Sequence, residues 1–327
     1  MLLILKYKFL PALSAFITTA VFSVSAAAFE VVPSGECVGV KLYTDGLIVT
    51  DTATVTERDG SRKNPAKGCD IRRGDVIKQL NGTKLLSNDM LIEMLRTAQG
   101  DITLTVSRGG KERHISVSPA DTADGPKLGL WLRDSTAGMG TVTCYVGDRF
   151  AALGHGICDI DSGNIMPVAH GIIQGSRITA VTRSENGLPG AITGEINGEF
   201  LGSVTANREN GLFGRSTSSH SGTAVEVAKK AEVRRGGATI LADIDGCGVK
   251  EYAIEINRVA IASDGRDMVI TVTDPTLLEK TGGIVQGMSG APIIQNGKLA
   301  GAVTHVFVND TRSGYAIFAE NLLRDMM

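Results

Sequence analysis

Apolar and polar residues alternate along most of this chain, the period of half-buried strands, and helical spacing is rare. In the run CVGVKLYTDGLIVTDTATV, β-branched residues flank Asp45-Gly46, which predicts a hairpin turning at that dipeptide. Further on, VIKQL reads as a strand ended by Asn81-Gly82, and DITLTVSRGGKERHISVSP as a second hairpin through Gly109-Gly110. Between them Ser87 is placed to cap NDMLIEMLRTAQ, where Met90, Leu91, Met94 and Leu95 recur at helical spacing and Gly100 stops the pattern. From Lys127 onward short strand-like segments follow one another (LGLWLRD, GTVTCYV, AITGEI, EYAIEIN, MVITVTD), separated by glycine-rich turns. That spacing predicts a sandwich or barrel, with a single helix at the C-terminal FAENLLRDMM.

The N-terminus departs from this texture. Lys6 and Lys8 precede an almost uncharged run from Phe9 to Phe29, long enough to cross a bilayer and ending in small residues. Residues 1–29 are therefore expected to be an N-terminal apolar helix that exports the chain, either cleaved as a signal peptide or retained as a membrane anchor.

Composition narrows the function. At 327 residues, with 43% hydrophobic and 21% charged residues, the chain can bury cores in two domains. A formal charge of -2 provides no electrostatic case for nucleic acid. Forty glycines against nine prolines fit many tight turns. The five cysteines form no C-x-x-C pair, so no metal site is expected; a Cys37–Cys69 disulfide is open on spacing.

Chemistry concentrates in GGIVQGMSGAPII, where Ser289 stands between Gly287 and Gly290. A serine nucleophile needs a base, a group orienting that base, and N–H donors for the oxyanion, here the amides of Gly287 and Ser289. Ala291-Pro292 after the turn argues against a nucleophile elbow feeding a helix and fits the G-x-S-G-x-P turn of trypsin-like proteases. Of five histidines, His155 in AALGHGICD is flanked by glycines at a strand end, and His305 in GAVTHVFV is the other candidate base.

Two resemblances sharpen this. NPAKGCDIRRGDVIKQLNG, with the element order around it, resembles a bacterial PDZ domain over residues 35–119. It implies a groove that adds a peptide as a strand, with Gly39, Val40, Lys41 and Leu42 as the carboxylate-binding loop. The segments STAGMGTVTCY, FAALGHGICD, NGLFG and GGIVQGMSGAPIIQNGKLAGAVTHVFVNDTRSGYAIFAENLL resemble the SpoIVB peptidase family of endospore-forming bacteria. The resemblance spans nearly the whole chain and implies a mainly β fold: a trypsin-like double β-barrel over residues 120–327, preceded by the small α/β PDZ domain. It implies a serine endopeptidase without cofactor, with Ser289 as nucleophile, His155 as base and Asp274 as acid; Asp243, Asp245 and Asp264 compete for the last role. It further implies a peptidase that cuts itself and a membrane-embedded regulator of an intramembrane protease. Working in the space between forespore membranes, that cut leads to activation of a late mother-cell sigma factor. An inactive PDZ scaffold is the alternative.

Overall fold

The computed structural model describes residues 29–160, 163–185, 187–220, 222–260 and 266–326. The expected export segment lies outside the described residues except for Phe29, and among those residues no helix is long and apolar enough to cross a membrane.

Two six-stranded barrels dominate. Strand β1 (Cys37–Thr52) pairs on one side with β5 (Leu130–Val146) and on the other with β7 (Val168–Thr182). The ring closes through β8 (Ala191–Arg208), β9 (Gly211–Ser216) and β6 (Arg149–Ala152), every neighbour antiparallel. The second barrel is formed by β10 (Gly236–Ala242), β11 (Lys250–Val259), β12 (Met268–Val272), β13 (Pro292–Gln295), β14 (Lys298–Val306) and β15 (Ser313–Phe318). Alternation explains the inward faces: Tyr252, Ile254 and Ile256 along β11 are buried while Glu251, Ala253 and Glu255 between them are exposed. The C-terminal helix α3 (Ala319–Arg324) packs Leu322 and Leu323 against Ala151 and Phe213 of the first barrel and Leu299 of the second.

The smaller unit is not a separate N-terminal domain ending at residue 119. It is inserted into the first barrel, between β1 and β5, and shares both strands with it. The near half of β1 (Cys37–Tyr43) pairs with barrel residues Ser135–Thr141, whereas Ile48–Thr52 pairs with Leu130–Arg133. Leu47 and Ile48 also pair with β2 (Val76–Leu80), which continues the sheet through β3 (Ile102–Arg108) and β4 (Lys111–Val117). Asp45-Gly46 is therefore not a hairpin turn. The register jumps there from Tyr43↔Ser135 to Ile48↔Arg133, leaving Thr44–Leu47 opposite Asp134 as a bulge that bends one continuous ribbon.

Local signals that depend on neighbouring residues alone appear as expected. Helix α1 (Asn88–Thr97) starts on Ser87, whose hydroxyl accepts the Met90 N–H at 3.2 Å, and it buries Leu91 and Leu95. Gly109-Gly110 is a two-residue turn with both φ values positive. All five cysteines are free thiols, so Cys37 and Cys69 do not pair. Helix α2 (Pro275–Thr281) has an Asp274 cap, a proline at its start and Gly282 in the left-handed region at its end.

The inserted unit is pinned by a buried ion pair. Asp75, 1% exposed, accepts from Arg108 Nε at 2.6 Å and from Arg108 Nη2 at 2.8 Å, and also takes the Arg72 N–H at 2.8 Å. Replacing Arg108 by Met leaves that carboxylate uncompensated, and urea unfolding should show a loss of about 3–5 kcal/mol in this unit.

Candidate active site

A cleft of about 470 Å³ is lined by both barrels. From the first come Val40 on β1, Thr136–Met139 on β5, and Leu153, His155 and Ile157 after β6; from the second, Ile284–Gly287, Ser289 and Thr304–Val306. His155, His305 and Ser289 thus face one cavity, whose walls are otherwise mostly aliphatic.

The nucleophile turn is held by its own backbone. Met288 N–H donates to Val285 O at 3.1 Å, Ala291 N–H to Met288 O at 2.9 Å, and Gly290 N–H to Val303 O at 2.8 Å. Gly290 has φ +96, and a Cβ there would collide with the Thr141 carbonyl. Gly287, with φ +101, also occupies a conformation that side chains disfavour. Among the described residues no acceptor holds the N–H of Gly287 or that of Ser289. Two unpaired amides beside one hydroxyl are the donor set an oxyanion requires.

Ser289 Oγ donates to the Thr304 carbonyl at 2.8 Å. The hydroxyl must rotate about χ1 before a base can take its proton, an ordinary rotamer change.

His155 follows a strained turn. Leu153, with φ +69, sits in the left-handed region at a cost on the order of 1–2 kcal/mol, and its N–H donates to Thr141 O at 3.1 Å. The imidazole Nδ1 lies 2.9 Å from the Gly156 carbonyl. A carbonyl can only accept, so Nδ1 carries the proton and Nε2 keeps the lone pair, the tautomer of a general base. The segment after the ring is clamped by Asn207: Oδ1 accepts Ile157 N–H at 2.8 Å, and Nδ2 donates to Ile157 O at 2.8 Å and to Met166 O at 3.2 Å. Burial lowers the His155 pKa from 6.5, against the opposing pull of the Gly156 carbonyl. The His305 ring lies 4.6 Å from it, centroid to centroid. His305 is pushed down to about 4, by desolvation first and then by His155 and Arg266. The remaining histidines are elsewhere: His114 beside Thr105, His170 stacked on Tyr43, and His220 stacked on Tyr145.

The expected acid does not join them. Asp274 caps α2, with Oδ1 accepting from Leu277 N–H at 3.0 Å and Oδ2 from Ala253 N–H at 3.3 Å, and it does not line the cleft. Asp245 is engaged by Lys250 and Lys280, and Asp243 holds the Gly246 N–H. Asp264 lies outside the described residues. No carboxylate is among the described residues lining the cleft, and the acceptor facing His155 is a backbone carbonyl.

The peptide-binding loop expected at Gly39–Leu42 is a correction. These residues lie within β1, paired with Thr136–Met139 on one side and Gly171–Gln174 on the other, with Val40 and Leu42 buried. A carboxylate-binding loop needs free N–H groups, and a strand paired on both sides has none to offer. The inserted unit's own groove, about 510 Å³, lies between α1 (Leu91, Ile92, Leu95) and Pro126–Leu132, with Trp131 65% exposed on its wall.

Two barrels sharing a cleft with one serine, adjacent histidines and an open pair of amides define a serine peptidase. The profile of the SpoIVB peptidase S55 family matches residues 124–323, and the chain belongs to that family. The matched segment leaves out β1, although β1 closes the first barrel. No curated protein matches the chain significantly. Among solved structures, the chain is similar to the PDZ domain of the SdrC-like protein from Listeria monocytogenes, 20% identical over 27% of this chain and 87% of that one, with a TM-score of 0.21. It is also similar to the inactive form of a serine-to-alanine mutant of Rv3671c from M. tuberculosis H37Rv, 16% identical over 58% of this chain and 80% of that one, with a TM-score of 0.31.

A base whose pKa is lowered stays neutral, and competent, to lower pH. The acid limb of kcat/KM should therefore fall below pH 6.5, and a pH–rate profile of the full chain checks it.

Proposed function

We propose that this peptidase is an endopeptidase in which Ser289 attacks the scissile carbonyl, His155 Nε2 takes its proton and returns it to the leaving amine, and the amides of Gly287 and Ser289 receive the oxyanion. The observation that carries this reading is the meeting of His155 and Ser289 in one inter-barrel cleft beside two amides without acceptors. In this reading the Gly156 carbonyl holds the imidazole tautomer, and Asp274 keeps its role as a helix cap.

The biological setting is proposed from family membership and from the N-terminal sequence. The chain is exported across the cytoplasmic membrane by its apolar N-terminal segment. It cleaves itself and a membrane-associated regulator of an intramembrane protease during endospore formation, and the late mother-cell sigma factor is activated as a result. The groove beside α1 holds an extended segment of the chain to be cut, in the manner of strand addition to a sheet edge.

Ser289→Ala should abolish self-processing and lower peptide cleavage by at least about 10⁴-fold with the fold intact, read by fragment pattern and initial rates. Equal fragments from variant and parent would remove Ser289 as nucleophile.

The cleft walls include Val40, Met139, Leu153, Ile157, Val285 and Val306 and carry no carboxylate, lysine or arginine among the described residues. A charged side chain would be desolvated there without a partner. Peptides with Val or Leu before the cut should therefore be cleaved about 100-fold faster than those with Asp or Lys, measured as kcat/KM on a matched peptide series.

A further inference from the structure

Thr141 lies on β5, behind the cleft, and is 1% exposed. Its three polar groups reach both catalytic segments. The N–H donates to the Ser289 carbonyl at 3.1 Å, and the hydroxyl donates to the Gly287 carbonyl at 2.7 Å. The Thr141 carbonyl accepts the Leu153 N–H at 3.1 Å, at the strained turn that leads to His155. One residue of the first barrel therefore ties the nucleophile turn of the second barrel to the end of the strand that carries the base.

The hydroxyl bond has a specific effect on the amides. Gly287 has no Cβ, and at φ +101 its backbone is free to rotate in ways any other residue would resist. The peptides that carry the two cleft-facing N–H groups are held at their own carbonyls, Gln286 O by Ile192 N–H at 2.8 Å and Met288 O by Ala291 N–H at 2.9 Å, and the Gly287–Met288 peptide joins them. Rotation of that joining peptide would turn the two N–H groups out of their common direction. Gly287 has no side chain to resist this, and the bond that the Gly287 carbonyl accepts across the barrel interface is the one from the Thr141 hydroxyl. We infer that Thr141 is a positioning residue of the oxyanion site: its buried hydroxyl, by holding the Gly287 carbonyl, keeps the amides of Gly287 and Ser289 presented to the cleft.

Thr143, two positions along the same strand, makes a parallel bond from its hydroxyl to the Gly290 carbonyl at 2.7 Å and is fully buried. The Gly290 carbonyl shares its peptide with the Ala291 N–H, past Ser289, so this second bond secures the turn's descent into β13 rather than the amides facing the cleft. The two threonines are thus matched in burial and bonding and differ in which peptide they hold.

The inference rests on the reading of Ser289 as nucleophile, and the experiment separates the two. In the full chain, Thr141→Val, Thr141→Ser, Thr143→Val and Ser289→Ala are compared on a quenched-fluorescent peptide with valine before the cut, and for inhibition by a boronic acid of the same peptide. Thr141→Val should lower kcat about 10- to 100-fold with KM little changed, and weaken boronate inhibition by the same factor as kcat/KM. Thr141→Ser, which restores the hydroxyl, should recover most of both. Thr143→Val should lower thermal stability as much as Thr141→Val while keeping kcat within a few-fold of the parent. Should Thr141→Val fail to fold, judged by circular dichroism, Thr141→Cys answers by the same criteria, its thiol being a weak donor of similar size. Parental kcat and boronate affinity in Thr141→Val, or equal losses in the Ser and Val variants, overturn the inference while an inactive Ser289→Ala leaves the nucleophile reading standing. An active Ser289→Ala overturns both.

Discussion

Strand β5 runs seventeen residues without a break, and its hydrogen bonds set the position of nearly everything functional. Its first residues pair with the far half of β1 and wall the inserted unit's groove; its middle lines the catalytic cleft. Past the cleft, hydroxyls cross to the second barrel, Thr141 to the nucleophile turn and Thr143 to the chain descending from it into β13, while Val142–Val146 pair with the strand that delivers His155. A barrel is indifferent to what is attached to its rim, yet here one backbone forms groove, cleft wall and barrel interface in succession.

The electrostatics of the cleft follow from its dryness. Aliphatic walls disfavour charge on both imidazoles, so the resting rings are neutral and a backbone carbonyl suffices to select the tautomer of His155. A carboxylate in the same place would stabilise the imidazolium that forms during attack; a neutral carbonyl does so more weakly. The serine hydroxyl is meanwhile satisfied by Thr304. The two amides have no acceptor before substrate arrives, and they are the groups on which an incoming carbonyl would first gain a bond.

What could be read from the sequence was what depends on adjacent residues. The Ser87 cap, the Gly109-Gly110 turn and the glycines around Ser289 are local devices, and each has one conformation that suits it. Asp45-Gly46 carried the same kind of signal, but pairing with β5 on both sides of it outweighed the turn preference and made it a bulge. Gly39–Leu42 looked like a loop for want of any sign that two partners lay far along the chain. Asp274, Pro275 and Gly282 are an equally local signal for α2; an aspartate suits both a cap and a catalytic acid, and the Leu277 and Ala253 N–H groups that it accepts make it the cap. Thr141 and Asn207 were beyond reach: a strand threonine and a strand asparagine look ordinary until the segments they hold are known.

The inserted unit is joined to the barrel by two paired strands instead of a linker. A tethered domain swings on its tether and explores many orientations; a two-stranded ribbon resists bending in its plane and yields chiefly by twisting. The weakest point of this ribbon is where Thr44–Leu47 bulge opposite Asp134. An extended chain seated beside Trp131 would thus act on the cleft through torque, delivered along β5 to the residues beside Ser289, with the wrist at that bulge.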